Sequence, residues 1–339
     1  MILHHPHPFP LEAGGELPAL DIAYTATGLH PRDGGRVVWI CHALTANADP
    51  LEWWPGLVER GGVIDPDHDY VVCANILGSC YGTTGPTSID ARTGKPYLKD
   101  FPQVTVRDMV AAHELLRQHL GIERVDLAIG GSMGGQQVLE WAIQRPSLFE
   151  RICVLATNAA HSPWGIAFNT AQRMAIEADA TLYDGTLEGG AAGLEAARAM
   201  AMLSYRHYDA YEKTQRDGAQ DQIGAYRADS YQRYQGQKLR KRFNAWSYMA
   251  LGKAMDSHQV GRRRGGVPAA LSRITAEALV LSINSDILFP PQEQELLARH
   301  IPHSRHQVFD SFYGHDGFLT ETAQIGAALE AWLPARMLA

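Results

Sequence analysis

The sequence predicts an α/β fold: a mostly parallel central sheet flanked by helices, interrupted by a helical insertion. Three observations predict it. Apolar, β-branched runs alternate with helical patterns at both ends of the chain, and near-continuous apolar strands belong to sheets covered on both faces. A glycine-rich turn, Gly130-Gly-Ser-Met-Gly-Gly135, follows one such run and precedes a helical one. From about Asn158 to about Val267 no strand candidate occurs at all.

In chain order, the first strand candidate is Arg36-Val-Val-Trp-Ile-Cys41, ending at His42-Ala-Leu-Thr45. The second is Tyr70-Val-Val-Cys-Ala-Asn75. A helix is expected over Val106 to Leu120, where Met109, Val110, Leu115, Leu116 and Leu120 recur near helical spacing and make one face apolar. Val125 to Gly130 and Arg151 to Ala156 read as strands, with the helical run Gln136 to Ile143 between them. The strandless stretch is rich in Ala, Met, Tyr, Gln and Arg, and two helices are expected in it, Ala192 to Tyr205 and Arg240 to Met255. Gly261 to Pro268, with Arg262, Arg263 and Arg264, reads as an exposed turn. The α/β pattern then resumes with a strand at Ala278 to Ile283, a helix from Pro291 to His300, a last strand at His306 to Phe309 and a closing helix from Thr322 to Leu333. This layout makes residues 1–158 and 268–339 one core domain and 159–267 a helical lid of about 110 residues.

Composition narrows the function classes. The chain has 339 residues, 45% hydrophobic and 20% charged, which excludes disorder or coiled coil as a description of the whole. Its formal net charge of −7 makes nucleic acid a poor partner. No apolar run reaches the roughly 18 residues of a membrane span, and the N-terminus lacks the pattern of a signal peptide. Cys41, Cys73, Cys80 and Cys153 form no C-x-x-C pair and no disulfide framework, so a cytoplasmic location is expected. The His4-His-Pro-His7 run reads as a flexible terminus rather than a metal site, and no metal is expected elsewhere.

The chemistry centres on the glycine-rich turn, which matches G-x-S-x-G. A sharp strand-to-helix turn strains the serine backbone and leaves no room for neighbouring side chains, which is why glycines surround it. The Ser132 hydroxyl then stands at a helix N-terminus, where free N–H groups favour developing negative charge. A serine hydroxyl is a weak nucleophile without a base. In this arrangement an acid and then a histidine follow in the chain. Asp286 and His315 occupy loops after the last two strand candidates, as those roles require. Taken singly, Asp286 also suits a helix cap or turn, and His315 is one of 15 histidines; order and position together favour the triad. Asp316 directly follows His315 and suits either a helix cap or a cationic substrate group. The oxyanion-binding N–H groups are expected from Met133 and Leu44, with His42 as a structural hydrogen-bonding histidine.

These segments resemble the homoserine O-acetyltransferase family, α/β-hydrolase-fold acyltransferases of methionine biosynthesis. The resemblance rests on His42-Ala-Leu-Thr45, Asn75-Ile-Leu-Gly-Ser-Cys-Tyr-Gly-Thr-Thr-Gly-Pro86, Phe101 to Asp108, Gly130 to Gly135, Ser230 to Gly236, Ala254-Met-Asp256, Ser285 to Pro291 and Gly314-His-Asp-Gly317. They run in family order over nearly the whole chain, although the chain is short for the family. The resemblance implies a Ser132, Asp286 and His315 triad. It also implies that Arg198 binds substrate, with Tyr205 nearby, and that Asp316 binds the substrate amino group. A zwitterionic amino acid needs one cation and one anion in its site; a solvated helix face is the other reading of Arg198, and Arg206 is its rival.

The activity expected is acetyl transfer from acetyl-CoA, a co-substrate rather than a resident cofactor, to L-homoserine through an acyl-Ser132 intermediate. The alternatives are a succinyl donor, serine as acceptor, a serine esterase or thioesterase with the same triad, or a non-catalytic binding module. The runs Arg240-Lys-Arg242 and Arg262-Arg-Arg264 read as solvated surface before they read as a phosphate site for coenzyme A. A homodimer through the insertion is expected by analogy, with Met200, Met202, Leu203, Trp246 and Met249 as candidate contacts and core packing as their other explanation.

Overall fold

The computed structural model describes residues 1–219 and 221–334, so the last five residues of the expected core segment lie outside it. Eight strands form the central sheet: β1 (Ile2–His5), β2 (Leu20–Gly28), β3 (Arg36–Cys41), β4 (Asp69–Ala74), β5 (Val125–Gly131), β6 (Phe149–Leu155), β7 (Glu277–Ile283) and β8 (Ser304–Phe309). Their order across the sheet is β1-β2-β4-β3-β5-β6-β7-β8. Every pair from β4 to β8 is parallel, and β1 and β2 run antiparallel at one edge. Parallel strands deliver all their carboxyl ends to one edge of the sheet, where ligands bind in open α/β folds.

Alternation along β3 shows how the sheet is covered. Val37, Trp39 and Cys41 enter one apolar layer, with Met109, Leu116, Leu139 and Trp141. Val38 and Ile40 enter the other, with Ile129, Leu281, Ile325, Leu329 and Trp332. The first layer is closed by α1 (Val106–His119) and α2 (Met133–Gln144). Trp39 meets Trp141 edge-on with ring centres 5.0 Å apart. α1 begins at a capping box: Thr105 N–H donates to Asp108 Oδ2 at 2.8 Å, and Asp108 N–H donates to Thr105 Oγ1 at 3.3 Å.

Between β6 and β7 lie α3 (Pro163–Glu177), α4 (Ala191–Tyr205), α5 (Tyr208–Gln215), α6 (Arg227–Arg240) and α7 (Ala245–Asp256). Among the described residues of this stretch, the only extended pairing is a bridge between Ala160 and Gln259 at its neck. The core closes with α8 (Pro291–His300) and α9 (Thr322–Trp332).

Four local expectations need correction. The helix expected from Arg240 to Met255 starts only at Ala245: Arg240 is the last residue of α6, and Asn244 accepts the Ser247 N–H through Oδ1 at 2.8 Å and caps α7. The N-terminus is not loose: β1 pairs residue by residue with β2, and the Met1 amino group donates to Tyr24 C=O at 2.8 Å. The second arginine run is a turn with Arg263 exposed, but its other two arginines are not solvated. Arg264 pairs with the buried Glu140, and Arg262 with Glu12, so both clamp the neck of the insertion to the core. Of the candidate dimer contacts, Met202 and Trp246 are buried and Met249 packs on the core, whereas Met200 and Leu203 are exposed.

Candidate active site

Ser132 leaves β5 with φ 56° and ψ −126°, a conformation side chains rarely adopt. Its backbone is held from both sides. Ser132 N–H donates to Leu155 C=O at 2.9 Å, and Thr157 Oγ1–H donates to Ser132 C=O at 2.7 Å. The glycines answer to close approach. A Cβ on Gly134 would stand 2.0 Å from the Cys41 carbonyl oxygen, and one on Gly135 would stand 2.6 Å from the Thr157 side chain. Met133 is the first residue of α2, and the first helical bond is Gln136 N–H to Ser132 C=O at 3.2 Å. The Met133 N–H therefore precedes the internal ladder of the helix.

Ser132 and His315 are 183 positions apart, yet the His315 Nε2 to Ser132 Oγ distance is 2.9 Å. The other ring nitrogen, Nδ1, lies 2.7 Å from Asp286 Oδ2. A carboxylate only accepts, so Nδ1–H donates to Asp286 and Nε2 is left to accept from the serine hydroxyl. The second oxygen of Asp286, Oδ1, accepts from Leu288 N–H at 2.8 Å and Phe289 N–H at 2.9 Å. Asp286 thus serves as both turn residue and histidine partner. All three side chains are buried. The His315 ring stacks on Phe289 at 5.0 Å and has Phe318 at 5.2 Å and Tyr205 at 5.7 Å.

His42 is a structural residue. Ile76 N–H donates to its Nε2 at 3.1 Å, so Nδ1–H donates to Ala43 C=O at 2.8 Å. Burial pulls its pKa down to about 4 and keeps the ring neutral. Leu44, in the same loop, lines the cavity above Ser132. That loop is braced by Gln137, whose Nε2 donates to His42 C=O at 3.2 Å and to Met133 C=O at 3.0 Å.

The cavity has a volume of about 280 Å³ and is lined by Ser132, His315, Leu44, Arg198, Tyr205 and Asp316 together. Arg198 and Tyr205 come from the last two turns of α4, and the guanidinium lies 5.2 Å from the centre of the Tyr205 ring. Burial raises the Tyr205 pKa, with Arg198 acting in the opposite direction. Asp316 does not cap the helix after it; its Oδ2 lies 2.7 Å from Arg206 Nε. Arg206 is therefore a partner of Asp316 rather than a rival of Arg198.

Several wall residues carried no sequence signal. Trp53, Lys238 and the adjacent Phe318 and Leu319 reach the cavity from three elements far apart in the chain, and only folding brings them together. Arg242 is exposed but not free. Its guanidinium donates to Tyr81 Oη at 2.8 Å and to the Thr45 carbonyl, tying the insertion to the loop that carries Leu44. Arg240 pairs with Glu195 instead. Behind the triad, Glu293 accepts from Asn158 Nδ2 at 2.8 Å, and burial pushes its pKa up to about 7 against that hydrogen bond. Among the described residues, no group of three or more His, Cys, Asp or Glu side chains could hold a metal ion.

A hydrogen-bonded Ser-His-Asp chain on a strand-to-helix elbow is an arrangement for acyl transfer. Comparison with known proteins agrees with it. Residues 36–322 match a family model for the alpha/beta hydrolase fold. A homoserine O-acetyltransferase of Chlorobaculum parvum is 48% identical over 319 residues, which cover 93% of this chain and 89% of that protein. The crystal structure of a homoserine O-acetyltransferase from Staphylococcus aureus superposes with a TM-score of 0.82 at 27% identity, covering 98% of this chain and 94% of the other. The crystal structure of esterase E22 superposes with a TM-score of 0.88 at 22% identity, covering 100% of this chain and 99% of the other, a likeness that bears on the fold alone.

Proposed function

The chain belongs to the homoserine O-acetyltransferase family of α/β-hydrolase-fold enzymes, and on that premise we propose that it moves an acetyl group from acetyl-CoA to L-homoserine through an acyl-Ser132 intermediate. One observation carries the reading: the cavity that exposes Ser132 and His315 is lined by a cation, Arg198, and by a carboxylate next to the catalytic histidine in sequence, Asp316, the complement of an amino acid; Lys238, Arg242 and Glu52 complete its charged lining. Ser132 Oγ attacks the thioester carbonyl while His315 Nε2 takes its proton. The N–H groups of Met133 and Leu44 stabilise the oxyanion. The intermediate collapses, the thiolate of coenzyme A leaves with the proton from His315, and acetyl-Ser132 remains. The homoserine hydroxyl then attacks, His315 accepts its proton and returns it to Ser132, and O-acetylhomoserine departs. Lys238 and Arg242 on the cavity wall suit the phosphates of the donor. Burial of Ser132 beneath the insertion keeps water from the ester.

The test is a matrix of acetyl-CoA and succinyl-CoA against homoserine, serine and water. Fast multiple-turnover release of coenzyme A from acetyl-CoA alone would make the chain a thioesterase. Preference for succinyl-CoA or for serine would move the assignment within the family. Absence of any acyl mass on Ser132 would leave a binding module.

The acceptor residues are tested by half-reaction. In Arg198→Ala and Asp316→Asn, acetylation of Ser132 by acetyl-CoA stays near normal, because the donor carries neither charged group of the amino acid. Transfer to homoserine is expected to lose about 2 to 5 kcal/mol of binding or transition-state stabilisation for each contact. Rapid-quench measurement separates the steps; equal slowing of both would remove these residues from the acceptor site.

We assign the chain to the cytoplasm and to a homodimer built through the insertion. The four cysteines are free, and no helix among the described residues is long and apolar enough to cross a membrane. Met200 and Leu203 are 38% and 56% exposed on α4 and support the dimer. Light scattering at micromolar concentration should give twice the chain mass of 37.3 kDa; the single-chain mass would reject the dimer.

A further inference from the structure

The cavity sets two opposite charges, Arg198 and Asp316, in one small space. Such a pair has an obvious way to fail. In the absence of ligand the two side chains attract one another, and a direct ion pair between them would close the site to any zwitterion. The structure avoids this. Among the described residues Arg198 enters no salt bridge; its guanidinium lies over the Tyr205 ring at 5.2 Å. Asp316 is engaged by a different cation, Arg206, at 2.7 Å. Arg206 is itself held, with its guanidinium 5.1 Å from the centre of the Tyr313 ring. The two anchors, Tyr205 and Arg206, are adjacent at the carboxyl end of α4.

The backbone reinforces this placement. Gly314, at φ 73°, lies so close to the end of α4 that a Cβ there would stand 2.8 Å from His207 N and 3.1 Å from Tyr205 O. The end of α4 is therefore pressed against the turn that carries His315 and Asp316. Both Arg206 and Asp316 are mostly buried, with side chains 22% and 13% exposed, so their pairing is poorly screened by solvent.

We propose that Arg206 is a positioning residue for the acceptor site: it holds the Asp316 carboxylate by one oxygen, leaving the other for the substrate ammonium, and so keeps Arg198 available for the substrate carboxylate. This rests on the reading of Arg198 and Asp316 as the acceptor-binding pair. Arg206 touches no reacting atom and acts only through Asp316.

The experiment compares wild type, Arg206→Gln and Arg206→Lys with three measurements: acetylation of Ser132 by acetyl-CoA, the KM for homoserine, and transfer to propan-1-ol, an acceptor with neither charge. In Arg206→Gln, the KM for homoserine is expected to rise at least tenfold. Acetylation and transfer to propan-1-ol are expected to stay within about twofold of wild type. Arg206→Lys should recover part of the homoserine KM, since it keeps the charge but not the planar fork. An unchanged homoserine KM in Arg206→Gln overturns the proposal, and so does parallel loss of all three activities, which would mean that Arg206 only supports the fold. If wild type itself takes propan-1-ol as well as homoserine, the acceptor reading beneath the proposal fails instead.

Discussion

Ser132→Ala is expected to lower turnover by about 10⁴- to 10⁶-fold and to abolish the acetyl-enzyme while leaving the fold intact. Only one oxygen is removed. The backbone bonds that hold the elbow, Ser132 N–H to Leu155 C=O and Thr157 Oγ1–H to Ser132 C=O, do not involve the side chain. Alanine inherits the positive φ of 56°, the same strain that serine bears, so the melting temperature should move little. What is lost is the hydroxyl 2.9 Å from His315 Nε2, the group that would carry the acetyl ester. Intact-mass spectrometry after mixing with acetyl-CoA, with steady-state assay in parallel, checks both halves. Retention of more than a tenth of wild-type turnover would sink the covalent mechanism.

Asp286→Asn is expected to reduce turnover by about 10⁴-fold, the scale seen when the acid of a Ser-His-Asp triad is neutralised. The amide can still accept from Leu288 and Phe289 N–H through its oxygen, as Asp286 Oδ1 does now. The turn before α8 therefore survives. Its NH₂ group, placed toward His315 Nδ1, donates where the carboxylate accepted. That selects the tautomer with the proton on Nε2, which cannot take one from Ser132. The remaining defect is the loss of a charge that stabilises the imidazolium. KM for the acyl donor should change far less than kcat. A near-normal kcat would shift the acid role to another carboxylate, with the half-buried Glu293 the next to examine.

What is legible in the sequence follows the range of the interactions involved. β3, β5, β6 and β7 were legible because apolar continuity is a local property, and the serine elbow was legible because glycine is needed wherever backbone meets backbone. The acid and base were legible as strand-end residues in a fixed chain order. The start of α7 at Ala245 is not legible, because the helical pattern runs back to Arg240 past a cap whose hydrogen bond is visible only in three dimensions. The N-terminal histidines were misread because β1 has no apolar run and gains its order from pairing with β2. The arginines at 262 and 264 looked solvated because their partners, Glu12 and Glu140, are more than 120 positions away.

The sequence by itself therefore determined the fold class, the serine elbow and the chain order of the aspartate and histidine that meet it, so far as short-range sterics and periodicity reach, together with the family to which the motifs point. The tertiary structure decided which charges face one another. Arg198 and Arg206 are both arginines near the end of one helix, with nothing in composition or spacing to rank them. Their roles part because the end of α4 is pressed against the His315 turn, so that one guanidinium reaches Asp316 while the other lies over Tyr205 beside the cavity. Charge interactions depend on separation and burial, and both are set by how the insertion seats on the core.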